Sequence, residues 1–195
     1  MELTARQEEI IQAAITIIAR QGFKALTTKN LAGELKLTEA ALYRHFKNKN
    51  DLILRILDHF KNLSCEVLER IRDGELDPME KIHRFVLSRY ELFTDNPELA
   101  QVMFSEELFR FDPFYARQMQ EIMEIHRDSV TGYISDAQAR GMIAKELDPL
   151  QLFRIIIGSM RFMISQWNLG GHGFVLVKEG EALFQTIKET IEEKK

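Results

Sequence analysis

A chain of 195 residues, 45% hydrophobic and 29% charged, has enough apolar mass for a buried core and sits in the ordinary range of soluble folded proteins. Its single cysteine, Cys65, excludes an internal disulfide and points to a reducing compartment, the cytoplasm. A net charge of −4 argues against a nucleic-acid ligand only for the chain as a whole. Residues 1–55 hold 9 of the 26 Lys/Arg and 6 of the 30 Asp/Glu, a local +3 against −7 for the remainder.

The first element is a helix over 5–21. Thr4-Ala-Arg-Gln7 reads as a capping box, and Ile10, Ala13, Ala14, Ile17 and Ile18 fall on one face. Glu8 and Glu9 inside that stretch argue against a secretory signal. Two short helical patterns follow at 28–35 and 39–45, then a long one at 49–73. All four prolines come directly after Asp or Asn, at Asp77-Pro78, Asn96-Pro97, Asp112-Pro113 and Asp148-Pro149. The acidic or amide side chain accepts from a first-turn N–H, and proline loses nothing at the first helical position, so each pair starts a helix. The spacing predicts helices over 78–94, 97–109, 113–140, 149–169 and 178–193, with Gly22, Gly74, Gly141 and Gly170 as stops. Phe174–Val177 is the only β-like run and has no partner to pair with. Leu150–Trp167 is apolar but interrupted by Gln151, Arg154, Ser159, Arg161, Ser165 and Gln166, which makes it a buried helix and not a membrane span. The chain is therefore expected to be all-α, with a small three-helix domain at residues 1–48 and a larger helical bundle at 49–195.

Between Thr28 and Phe46 the two short helices are separated only by Lys36, Leu37 and Thr38, and Leu31, Ala32, Leu35, Leu37, Ala41, Leu42 and Phe46 can close a small core. This is a helix-turn-helix layout, in which the second helix enters the major groove of double-stranded DNA. Thr28, Lys29, Thr38, Tyr43, His45 and Lys49 supply hydroxyl, ammonium or imidazole donors for phosphates. Glu39, Ala40 and Ala41 open the second helix as base readers: a carboxylate can accept from cytosine N4, and alanine methyls can meet a thymine methyl.

The run GFKALTTKNLAGELKLTEAALYRHFKNKNDLI, Gly22 to Ile53, resembles the DNA-binding signature of the TetR family, at Gly22, Thr27-Thr28, Leu31-Ala32, Ala41-Leu42-Tyr43, His45-Phe46, Lys49 and Leu52. The resemblance implies a transcriptional repressor in which Thr28, Lys29, Tyr43, His45 and Lys49 contact phosphates while Glu39, Ala40 and Ala41 face bases. One departure is Lys36, where the family usually has glycine; a positive φ there would carry strain.

Beyond residue 55 the resemblance implies a homodimer joined through the last two long helices, with a ligand cavity among the middle ones. The 149–169 helix is apolar almost all round, and Leu183, Phe184, Ile187 and Ile191 form a second stripe, so each has a face for a partner. Two heads would read a palindromic operator. The middle helices are rich in aromatics and Met, including Phe109, Phe111 and Phe114. Phe85, Arg89, Tyr90, Phe104, Met119, Met123, His126, Met163 and Trp167 are the expected contacts of a hydrophobic small-molecule effector.

No phosphate-cradling Gly-Lys loop, dinucleotide glycine motif, serine nucleophile elbow or HExxH occurs, so an enzyme is not expected. His45, His59, His83, His126 and His172 lack ligand spacing, so neither metal nor cofactor is expected. The alternative keeps DNA binding but replaces the effector with a protein partner, because Thr38–Phe46 is similar to the corresponding stretch of the family's nucleoid-occlusion division regulators.

Overall fold

The computed structural model describes residues 3–105, 108 and 112–192. Among these residues the regular elements are nine α-helices and one 3₁₀ turn: α1 (Ala5–Gln21), the turn Phe23–Ala25, α2 (Thr28–Glu34), α3 (Glu39–Leu42), α4 (Lys49–Asp73), α5 (Pro78–Asp95), α6 (Pro97–Met103), α7 (Pro113–Ala139), α8 (Pro149–Leu169) and α9 (Leu176–Ile191). The chain is all-α, as the periodicity predicts; the sole β feature among the described residues is an isolated bridge between Ile143 and Glu192.

Local chemistry explains most boundaries. Thr4 accepts from the Gln7 N–H at 3.3 Å while Gln7 Oε1 accepts from the Thr4 N–H at 3.0 Å. Asp77 and Glu80 make the same reciprocal pair at 2.9 Å, and Asp148 accepts from the Gln151 N–H at 2.9 Å. All four Asx-Pro pairs open a helix at the proline. Asn96 departs in detail, since its amide donates to the Leu92 carbonyl at 3.0 Å and so closes α5.

Three expectations shift. Helix α8 stops at Gly170, its C-cap, but the left-handed residue is Gly171, at φ 61°; the His172 N–H reaches back to the Trp167 carbonyl at 2.9 Å, which puts the positive φ one residue later. Gly74 takes no positive φ. Helix α3 is regular only over Glu39–Leu42, the next residues forming looser turns. Of the predicted 97–109 helix, residues 106, 107 and 109 lie outside the described set, as does Phe111.

Two compact units are present: Met1–Asn62 with Glu98–Gln120, and Leu63–Pro97 with Glu121–Lys195. The division expected after residue 48 does not coincide with them. In the first unit, Leu52, Ile53, Ile56 and Leu57 of α4 are buried alongside Ile10, Ala14, Ile18 and Phe23. Glu98 accepts from the Thr16 hydroxyl at 2.5 Å and pairs with Arg20 at 3.1 Å, and the Tyr115 hydroxyl donates to Asn50 at 2.7 Å. These contacts across the sequence recruit residues 98–120 to the first unit.

The second unit packs α5 against α8 and α9. Ile82, Phe85, Tyr90, Ile134, Ile156, Ile164 and Phe184 are buried there. Gly180 of α9 has the Tyr90 ring so close that a Cβ would lie 2.2 Å from Cε2, which is why this helix interior carries a residue of poor helix propensity. Trp167 Nε1 donates to the Phe174 carbonyl at 3.0 Å, and the His172 ring lies 4.1 Å from the indole, fixing the α8–α9 connection. Among the described residues no helix is long and apolar enough to cross a membrane.

Candidate functional site

The α2–α3 turn is set by its own backbone. Thr27 caps α2, accepting from the Asn30 N–H at 3.1 Å, and Thr38 caps α3, accepting from the Ala41 N–H at 3.2 Å. Between them the Leu37 N–H bonds the Ala32 carbonyl at 2.8 Å and the Lys36 N–H bonds the Gly33 carbonyl at 3.2 Å, a Schellman closure. That closure needs a left-handed residue, and Lys36 supplies it at φ 53°. A non-glycine residue there costs roughly 1–2 kcal/mol. The strain anticipated at Lys36 is thus present, and the turn keeps its geometry regardless. Leu31, Ala32, Leu42 and Phe46 close the small core, with Leu35, Leu37 and Ala41 half-buried.

The nine residues assigned to DNA gather around this turn. Lys29, Thr38, Glu39, Ala40 and Tyr43 are exposed, while Thr28, Ala41, His45 and Lys49 are half-buried. Tyr43, 53% exposed, is a large aromatic side chain left in water on a short helix, and a duplex groove would cover it. Three of the nine, Thr28, Glu39 and Lys49, have internal partners that no sequence pattern announces. The Thr28 hydroxyl donates to Glu39 Oε2 at 2.6 Å, joining the starts of α2 and α3. Lys49 donates to the Phe23 carbonyl at 3.1 Å and stands 4.0 Å from the Phe23 ring centre, and burial lowers its pKa. An ammonium has three donors, so Lys49 retains capacity for a phosphate. Lys24, Lys36, Arg44 and Lys47 are further exposed cations of this head that the motif does not single out.

The nine residues expected to line an effector cavity are divided between the two units. Phe104 and Met119 belong to the first unit, and the other seven to the second. Within the second unit Met123 is 42% exposed and Trp167 is committed to the α8–α9 connection. Tyr90 is buried against Gly180, and burial pushes its phenol pKa upward. Phe85, Arg89 and His126 do converge: the His126 ring stands edge-on to Phe85 at 5.1 Å, and the Arg89 guanidinium carbon is 5.4 Å from the Phe85 ring centre. Arg89 donates to the Ser64 hydroxyl at 2.9 Å and to the Ser88 hydroxyl at 3.3 Å. Neither serine stands out in the sequence, because Ser64 reaches Arg89 from another helix. Arg89 also lines a groove of about 480 Å³ between α4 and α5, within the size range of small-molecule sites. Among the described residues no cluster of three or more His, Cys, Asp or Glu could hold a metal ion.

Comparison with known proteins agrees with the layout. The family model described as bacterial regulatory proteins, tetR family, matches residues 10–56, and that of the C-terminal region of YsiA-like protein matches residues 60–190. Nucleoid occlusion factor SlmA of Photobacterium profundum is 35% identical over 102 residues, 51% of this chain and 52% of that protein, so the chain spans about half the length of this relative. The probable acrEF/envCD operon repressor of Escherichia coli (strain K12) is 22% identical over 190 residues, 95% of this chain and 86% of the repressor. The solved structure of the transcriptional regulator FadR from Bacillus subtilis in complex with stearoyl-CoA covers 97% of this chain and 100% of its own, with a TM-score of 0.79 and 19% identity, a likeness of fold. With both parts of the chain matched in order, a capped helix-turn-helix first and a helical body after it, this protein belongs to the TetR family of DNA-binding transcriptional regulators.

Proposed function

We propose that this chain is a repressor that holds a palindromic operator as a homodimer and is released from it by a hydrophobic small-molecule effector. The observation that carries the DNA half is the exposed start of α3, where Glu39 and Ala40 stand in water beside Tyr43 on a helix braced by the Thr38 cap. Thr28, Lys29, Thr38, Tyr43, His45 and Lys49 hold phosphates in this reading, and Glu39, Ala40 and Ala41 read bases.

TetR-family regulators act as dimers, and α8 offers the matching surface. Ile155, Phe162 and Leu169 are 52%, 69% and 87% exposed and recur every seven residues, an unpartnered apolar stripe. Covering each side chain with a second copy of α8 contributes at most roughly 1.5–3 kcal/mol, and less at the half-exposed Ile155. The terminal helix has less to offer, since Phe184 and Ile191 are already buried in the protomer. In a two-fold dimer the two α3 helices meet half-sites about one DNA turn, roughly 34–36 Å, apart. An effector that binds better to dimers with another spacing lowers operator affinity by the ratio of its affinities for the two states. The Phe85, Arg89 and His126 centre of the second unit is the proposed effector contact.

Control by a protein partner is the second reading, favoured by the 35% identity to SlmA; that identity extends over only half of this chain. Selection of bound duplexes from a random library tests the first reading. A two-fold symmetric product is expected, together with apolar compounds that raise the melting temperature and weaken operator binding. An asymmetric product, or a broad screen that moves neither quantity, contradicts it.

A further inference from the structure

Arg89 is 1% exposed and has no counter-ion among the described residues. Among the described residues its hydrogen-bond acceptors are two neutral hydroxyls, Ser64 and Ser88, and its Nη2 has no hydrogen-bond partner. Burial, reinforced by the like charge of Arg70, lowers its pKa to about 10, and no carboxylate offsets them. At neutral pH it is therefore a cation removed from water with only two hydroxyls and the Phe85 ring against it and no countercharge among the described residues, an arrangement costly enough to call for a reason. A second orphan stands beside it. His126 Nε2 is fully buried and unpartnered, and its imidazole is held neutral, with a pKa of about 3, by burial and then by the Arg89 charge.

The groove that Arg89 lines is also built for something amphipathic. Leu63, Val67, Ile71, Leu76 and Leu92 give it apolar walls. Its other charged groups are Glu66, Arg70, Arg84 and Glu91. Glu91 pairs with Arg84 at 3.2 Å, which occupies that carboxylate, and Glu66 is exposed on α4.

We infer that Arg89 is the anchor for an anionic headgroup, a carboxylate or a phosphate, on an amphipathic effector whose apolar body lies along the α4–α5 groove. A guanidinium fork matches either group, and the headgroup supplies the missing acceptor for Nη2 and the missing countercharge at once. This rests on the effector reading above and narrows it, since a purely apolar ligand leaves the Arg89 charge unmet.

The test uses the full-length protein with stearoyl-CoA, stearate and octadecanol as probes, reading both binding and release of the selected operator. Stearate or stearoyl-CoA is expected to bind at least roughly tenfold more tightly than octadecanol. The charged probe that binds more tightly distinguishes carboxylate from phosphate. Arg89→Met should erase that preference and raise the melting temperature of the ligand-free protein, because an uncompensated buried charge disappears. Arg89→Lys should retain part of the preference, and Ser64→Ala nearly all of it. If Arg89 only ties α4 to α5, Arg89→Met lowers the melting temperature and leaves the preference intact, which overturns the inference. Octadecanol binding as well as the charged probes, or none of the three binding, also overturns it. Release of the operator by octadecanol in the first case keeps the effector reading while removing the headgroup.

Discussion

Around the α2–α3 turn, polar side chains stand in water and bond to neighbours along the chain, Thr38 to Ala41 and Thr27 to Asn30, and the Lys36 backbone N–H bonds the Gly33 carbonyl. In the second unit the pattern is reversed: Arg89 of α5 and the Nε2 of His126, on α7, are held out of water, and each residue keeps a nitrogen without a hydrogen-bond partner among the described residues. The first region is built to meet a charged surface from outside, so its polar groups cost little before it binds. The second keeps a charge and an imidazole where water cannot satisfy them, so its electrostatics remain incomplete until something else is present.

The buried region breaks most easily at Gly180. Adding one methyl there drives a Cβ into the Tyr90 ring, so Gly180→Ala should destabilise the protein by about 3 kcal/mol, although alanine is the better helix former. Chemical denaturation measures this. A gain in stability would mean that the α5–α9 packing is looser than described.

The next effect is electrostatic. His126 titrates at about 3 in the folded state and at an ordinary 6.5 when unfolded, so between these values the unfolded chain binds the extra proton. Stability from this source is complete above pH 6.5 and falls with pH, by about 2 kcal/mol at pH 5. His126→Phe, which keeps an aromatic ring against Phe85, should flatten that part of the pH–stability profile. An unchanged profile would show that His126 is open to water.

The contrast between the regions also decides what sequence could show. Caps, prolines and the Lys36 turn are written in residues a few positions apart, and α1, α4 and α8 begin and end where the pattern says. The Ser64–Arg89, Tyr115–Asn50 and Glu98–Thr16 bonds join residues far apart, and nothing local encodes them. They bear on the difference between the expected division and the two compact units. Gly180 did carry a signal: a glycine inside an amphipathic helix marks a close approach, though not the residue that approaches.

In the head the effects are smaller. Lys49→Met should weaken operator binding uniformly across sequences and reduce the slope of log affinity against log salt by about one, the signature of one lost phosphate contact. If the slope is unchanged, Lys49 only braces Phe23. Lys36→Gly should stabilise the protein by about 0.5–1 kcal/mol, the relief of a left-handed lysine less the entropy of a new glycine. Thermal unfolding of the two proteins side by side measures it.

Docking of α3 into DNA is tested most directly at a single exposed methyl. Ala40 stands in water at the start of α3, so Ala40→Glu changes no buried contact but sets a carboxylate against the DNA. Titration of the selected operator should show affinity reduced by at least roughly 100-fold, with an unaltered melting temperature. Operator binding equal to that of the parent protein would mean that α3 does not enter the groove.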